Sequence, residues 1–317
     1  MKKLLLLLFM FPLSVLAHPG IGIVKDSKGN IYYTDLSKVW KISNGKKTVL
    51  LEGVHTHELY IDSSDNLFGE HVKYHPGAEE KWTHYLWKLS PGGKLDTIVS
   101  EKEAYVFFDY SLARDVQGNE YYIKSFDRNK DTNHIYKYTP DGREFVLATG
   151  SFSSVRWLHP QKNGSILYVK DNDVYHVTPE GIIIRIAESI ANETPSFPFS
   201  GNSITVWGVW QDDSAEVYVA VFSGQAVKKI DRSGNIEEVY KSKGNWAPIH
   251  GVFDNTGKLW VMECSDKNEI RVVEAYNEAQ GHVDNRRGSF SFVSIAVVVL
   301  IVGVLGYILM QQKIKVD

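Results

Sequence analysis

Two histidine–carboxylate pairs carry most of the chemistry open to this chain. His57 precedes Glu70 by thirteen residues, and His250 precedes Glu263 by the same interval. In a chain of short strands that interval brings the start of one strand beside the end of the next. Imidazole and carboxylate meeting there could hold a divalent cation or move a proton by general acid–base chemistry. His55-Thr56-His57 adds a second imidazole on the same side of an extended strand, and Glu58 follows directly. Other polar residues fall at equivalent strand ends: Asp35, His71, Lys124 and Lys170 after second strands, Asp109 and Arg156 before first ones. The plain structural reading is that such groups cap backbone atoms at a rim or pair with lysines. His75, His84 and His134 fall in long connections, where a solvated side chain is expected.

The elements that would position these groups repeat. Asp26–Leu50 has a polar turn, a short apolar–aromatic run, a break, a second run, an Asn-Gly turn and a third run. The runs are too short for globular helices and are rich in β-branched and aromatic residues. Asn30-Ile31-Tyr32 recurs at Asn66, Asn119, Ser165, Glu216 and Lys258, at intervals of about 36 to 53 residues. Trp40-Lys41-Ile42-Ser43 returns as Trp87–Ser90, Tyr136–Thr139 and Tyr175–Thr178, and more weakly at Val227–Ile230 and Ile270–Val273. One copy is a small antiparallel sheet with two apolar faces, so copies must stack. Six copies at this period predict an all-β, six-bladed β-propeller. Strands a to d then run outward from a central channel. All the a–b turns are short, whereas long insertions (Val72–His84, Ser125–Asn133, Ser189–Asn202) gather on the opposite face, which is therefore the expected binding face.

Pro248-Ile249-His250-Gly251-Val252-Phe253-Asp254-Asn255-Thr256-Gly257-Lys258-Leu259-Trp260-Val261 resembles an NHL-type repeat. The resemblance spans about residues 19–276 and extends to six-bladed propellers of the virginiamycin B lyase and regucalcin/gluconolactonase types. In the lyase pattern, His and Glu of such repeats hold Mg²⁺ and move protons. By that resemblance His250 is a base candidate and Glu263 a metal ligand. The resulting set has His250 and His57 as catalytic groups, and Glu263, Glu70, His55 and Glu58 as ligands of Mg²⁺, Ca²⁺ or Zn²⁺. The chain departs from the lyase pattern in having Tyr33-Thr34-Asp35 where a strand should end in Phe-Thr-Glu.

The ends of the chain set its compartment. Residues 1–17 read as a secretory signal peptide, 18–276 as the propeller and 277–291 as a stalk. Residues 292–310 form an apolar run long enough to span a bilayer, followed by a short cytoplasmic tail at 311–317. A single-pass membrane protein with its propeller outside the cytoplasm is the expectation. Cys264 is the one cysteine, so no internal disulfide is available. The net charge of −3, with scattered basic residues, gives no footing for nucleic acid. The functional expectation is a membrane-anchored propeller that binds a small molecule, glycan or protein on its long-loop face. The alternatives are a metal-dependent lyase or lactonase, and a scaffold subunit of an envelope complex.

Overall fold

The structure is a computed structural model that describes residues 20–75, 81–103, 112–124, 133–152, 154–155, 157–191 and 205–275. The segments expected to be a signal peptide (1–17), stalk (277–291), membrane span (292–310) and tail (311–317), and also Asp109 and Arg156, lie outside these. Among the described residues no helix is long and apolar enough to cross a membrane.

Six antiparallel sheets follow one another along the chain as the blades of a propeller. Blades 1, 2, 4 and 5 have four strands each, with inner strands Ile23–Lys25, Leu59–Ile61, Leu158–Pro160 and Val206–Gln211. Blade 3 shows three strands, its inner position reduced to a bridge between Arg114 and Glu120. Blade 6 also shows three, Trp246–Phe253, Leu259–Ser265 and Ile270–Glu274. The landmark runs of the repeat are the b and c strands, and every sheet pairs in chain order.

In five of the six blades the a–b turn is locked by its first residue, an aspartate. In blade 3 the Asp115 carboxylate accepts from the backbone N–H groups of Gln117 and Asn119, from Asn119 Nδ2 at 2.7 Å and from Tyr121 Oη at 2.7 Å. Asp26, Asp212 and Asp254 do the same, reaching Tyr32, Tyr218 and Trp260 respectively. The aromatic landmark is therefore the partner of the turn aspartate as well as a core residue. Blade 4 has no such aspartate; Asn163 Oδ1 takes the backbone N–H and hydroxyl of Ser165 instead.

Two expectations about loops change. Val72–His75 and Lys81–His84 are not a loop but the far end of a paired hairpin, Val72 opposite His84 and His75 opposite Lys81. His84 is consequently buried, and His75 Nε2 meets Thr83 Oγ1 at 2.8 Å. His134 also lies within a strand (Asn133–Tyr138), with Nδ1 2.9 Å from Thr149 Oγ1.

The ring closes through side chains. One core cluster joins Ile21, Ile23, Ile31 and Tyr33 of blade 1 to Trp207 and Trp210 of blade 5 and Ile249, Val261 and Met262 of blade 6. On the short-turn face Asn255 Nδ2 donates to Ser27 O at 2.9 Å, and Ser27 Oγ donates to Asp65 Oδ2 at 2.6 Å, linking blades 6, 1 and 2. Cys264 sits fully buried in this cluster, and burial pushes its thiol up to about 12, so it is a packing residue.

Candidate functional site

The two sequence-matched pairs do not meet. In blade 2 Gly69 lies opposite Leu59, so Glu70 falls one step further along strand b. In blade 6 Val261 lies opposite Gly251 and Met262 opposite His250, so Met262 occupies the place of Glu70. Glu263 is one residue beyond, and a one-residue step turns a strand side chain to the other face. Its carboxylate is fully buried towards blade 5, accepting from Tyr240 Oη at 2.7 Å and Arg271 Nε at 2.6 Å. The Arg271 guanidinium lies 4.0 Å from the Trp246 ring centre. Arg271 thus gives Glu263 a structural ion pair within blade 6, and the Tyr240 hydroxyl ties that pair to blade 5, away from Glu70.

Around Glu70 the predicted residues of blade 2 do gather. Glu70 Oε1 faces the His57 backbone N–H at 3.0 Å and His57 Nδ1 at 3.1 Å. His57 Nε2 is 3.2 Å from His55 Nε2, and the His55 backbone N–H donates to His71 Nδ1 at 3.1 Å. His71 stacks on Tyr85, and burial lowers its pKa, aided by Lys73 and opposed by Glu101. The Glu70 backbone oxygen is held by Thr56 Oγ1 and Trp87 Nε1. Gly69 makes this possible: a Cβ there would stand 2.2 Å from Trp87 Cζ2.

A second cluster lines the central channel. Residues of all six blades line a cavity of about 740 Å³ that runs from the a–b turns up to Glu58, His159 and His250. Glu58 and His250 stand four residues before Asp62 and Asp254, at one level of the channel wall. His250 Nε2 comes within 3.3 Å of His159 Nδ1, and its ring centre is 5.2 Å from that of Trp210. Gly208 makes room for that ring, since a Cβ there would lie 2.6 Å from His250 Cδ2. Burial drives His250 down to about 4, against backbone contacts with Val209 and Gly251 that favour the charged form. His159 is driven well down by burial and by its neighbour His250. Glu58 is pushed up to about 8 by burial first and the Glu70 charge second. Among the described residues no hydrogen bond or ion pair reaches the Glu58 carboxyl, and His159 Nε2 and Trp210 Nε1 have no partner. At neutral pH the wall thus presents an un-ionised carboxylic acid, two neutral imidazoles and an indole N–H.

The remaining predicted residues stay apart from both clusters. Asp35 folds its own loop, taking Trp40 Nε1 at 2.7 Å, Lys38 N at 2.8 Å and Ser37 Oγ at 2.8 Å. Burial would raise its pKa, but these hydrogen bonds outweigh burial and hold it low. Lys170 ends strand b of blade 4, half-buried, and Lys124 ends strand b of blade 3. His159 and Trp210 were not singled out as chemistry from sequence. Their shared register, two residues before the a–b turn, is the signal that marks both as channel residues.

No family model matches the chain, and no curated protein matches it by sequence. Solved structures do match in shape. A gluconolactonase from Xanthomonas campestris is 12% identical, with a TM-score of 0.53 over 81% of this chain and 85% of that one. A calcium-binding regucalcin from Agrobacterium tumefaciens is 16% identical, TM-score 0.50, covering 77% and 81%. Virginiamycin B lyase from Staphylococcus aureus is 17% identical with a TM-score of 0.43, covering 80% and 84%. At these identities the likeness concerns architecture alone: the chain is a six-bladed β-propeller similar in fold to regucalcin and gluconolactonase.

Proposed function

We propose that this chain is an exported propeller, held at a membrane by its C-terminal apolar segment, that binds a small uncharged ligand in its central channel. One observation carries the reading. A cavity of about 740 Å³ holds three polar groups, on Glu58, His159 and Trp210, that no described residue partners. Buried polar groups are ordinarily paired inside the protein, and convergent unpaired ones in a cavity of ligand size mark a binding site. Around Glu58, His159, His250 and Trp210 the wall is neutral and suits hydroxyl and carbonyl groups, whereas the turn end of the cavity carries charged residues such as Asp62, Arg114 and Asp212. Glu58 stands just before its inner strand and His250 at the same level, and the a–b turns line the other end of the cavity. The ligand therefore extends towards the short-turn face rather than lying only at the expected long-loop rim.

The test is a panel of neutral small molecules screened against the purified chain by thermal shift and tryptophan fluorescence. A true ligand raises the melting temperature saturably and perturbs Trp210. Its affinity falls at least tenfold in Glu58→Ala and in His159→Ala. Binding that neither substitution weakens would sink the reading. Anchoring is checked separately: the chain should stay with membranes through alkaline extraction, and a version ending at residue 276 should not.

A second reading, acid–base catalysis on the bound molecule, is favoured by one fact. A carboxyl with a pKa near 8 and an imidazole kept neutral line the same cavity. Chemical turnover of a ligand that wild type converts and Glu58→Gln only binds would decide for it.

A further inference from the structure

Among the described residues no three His, Cys, Asp or Glu side chains are placed to hold a metal ion together. The chemistry that the fold leaves open lies in a turn of blade 1 instead. We propose that Asn44 is a site of spontaneous covalent modification, its carboxamide converting through a cyclic imide to aspartate and isoaspartate, with water as the co-reactant. Neither the channel nor its ligand is involved.

Asn44 and Gly45 are the two residues of the hairpin turn between strands c and d of blade 1, Lys38–Ser43 and Lys46–Glu52, with Ser43 paired to Lys46. Both have positive φ, 49° and 73°, the conformation that an Asn-Gly pair supplies in a two-residue hairpin. Both are exposed. Among the described residues neither the Asn44 carboxamide nor the Gly45 N–H has a hydrogen-bond partner. A Cβ placed on Gly45 would meet nothing within 4 Å, so the main chain has room to move. With no side chain in the way, the Gly45 nitrogen can swing in to reach the Asn44 side chain.

The steps balance without any oxidant or reductant. Hydroxide takes the Gly45 N–H proton, and the nitrogen bonds to Asn44 Cγ. The Cγ–Nδ2 bond breaks, and the leaving nitrogen takes a proton from water and departs as ammonia. Water then opens the imide. Cleavage of the new N–Cγ bond gives aspartate, and cleavage of the original peptide bond gives isoaspartate.

Two other Xaa-Gly turns show the fold suppressing the same chemistry. Asn163-Gly164 is the second Asn-Gly of the chain. There Asn163 Oδ1 accepts from Ser165 N at 3.0 Å and Ser165 Oγ at 2.7 Å, while the Gly164 N–H donates to Gln161 O at 2.9 Å. Nucleophile and electrophile are both engaged, so that turn must open before a ring can form. At Asp141-Gly142 hydrogen bonds from Thr139 and Arg143, against burial, keep the carboxyl low and ionised, and the Gly142 N–H donates to Thr139 O at 2.9 Å. Of the three turns, Asn44-Gly45 alone leaves both reacting groups free. The product places a negative charge beside Lys46 and Lys47. Isoaspartate also adds a methylene to the main chain of a turn whose length sets the register of its hairpin.

The purified full chain is incubated at about pH 8 and about 37 °C, beside a urea-unfolded sample, until the unfolded sample has lost half of its Asn44. Tryptic peptides are followed by mass spectrometry, with the aspartate and isoaspartate products separated by retention. In the folded chain Asn44 should give both products at least about tenfold faster than Asn163, whose hydrogen bonds must first break. In urea the two sites should convert at similar rates. Isoelectric focusing should show an acidic band that grows more slowly in Asn44→Gln, whose longer side chain closes the ring less readily. The proposal is overturned if Asn44 stays intact in the folded chain, or if Asn163 converts there as fast as Asn44 does.

Discussion

At the scale of single residues, environment decides what each carboxylate is for. Glu263 has two strong partners and is fully buried, so it pairs with Arg271 of its own blade and fastens blade 6 to blade 5 through Tyr240. Glu58 has the opposite setting and stays protonated near neutral pH. The sign of its effect on stability follows. Its folded-state pKa of about 8 exceeds the unfolded value, so its contribution is full at acid pH and is lost as pH rises through 8. His250, lowered to about 4, works the other way: its contribution is present above about 6.5 and lost as pH falls towards 4. The two effects oppose each other below about pH 6.5, leaving Glu58 to dominate from there to pH 8. Thermal unfolding at steps between pH 6.5 and 8 should therefore show a falling melting temperature in wild type and a flatter profile in Glu58→Gln. Equal slopes would mean that the carboxyl is already ionised.

At the scale of elements, the a–b turn is the unit that the chain copies. It needs an acceptor at its first position and a left-handed residue at its fourth, usually glycine, as at Gly29 and Gly118. Blade 5 places Ala215 there, at φ 64°. A left-handed alanine costs roughly 1 kcal/mol relative to glycine. Ala215→Gly should accordingly raise stability by about 1 kcal/mol, read as a higher denaturant midpoint with unchanged slope. The same substitution logic does not extend to Asp65, also left-handed in blade 2, because its carboxylate receives Ser27 from blade 1. The turn aspartates Asp26 and Asp254 resist protonation: burial would raise them, but their hydrogen bonds outweigh it. Their stabilisation is present above about pH 4 and is lost below it.

At the scale of the whole molecule, closure rests on a packed seam between blade 6 and blade 1, since blade 6 shows no fourth strand among the described residues. Ile249 is fully buried in that seam, on the inner strand of blade 6. Ile249→Ala should cost about 2–5 kcal/mol by leaving a cavity that the strands cannot collapse around. Because the seam joins first blade to last, the loss should appear in one cooperative transition followed by far-UV and tryptophan signals together. Separate transitions would show that the blades melt independently and that the seam is not what closes the ring.

The repeat, the strand positions and the turn chemistry were all legible in the sequence, since each depends on neighbours a few residues away. Alternating apolar residues, an Asp ahead of a left-handed position and a glycine in each c–d turn carry their own physical meaning. The gathering of His55, His57 and Glu70 was legible for the same reason, as they sit at the ends of two adjoining strands. What the tertiary structure alone decided was direction. Counted from the turn aspartates Asp62 and Asp254, the two histidine–glutamate pairs are already one residue out of step in the sequence. The structure shows the outcome: Met262 lies opposite His250 in the place of Glu70, and Glu263 turns to the opposite face to meet Tyr240 and Arg271. His159, Trp210 and Glu58 likewise acquire a common cavity only when blades far apart in sequence close a ring. Spacing along one strand fixes which residues share a face, but the partner strand's register determines which way that face looks.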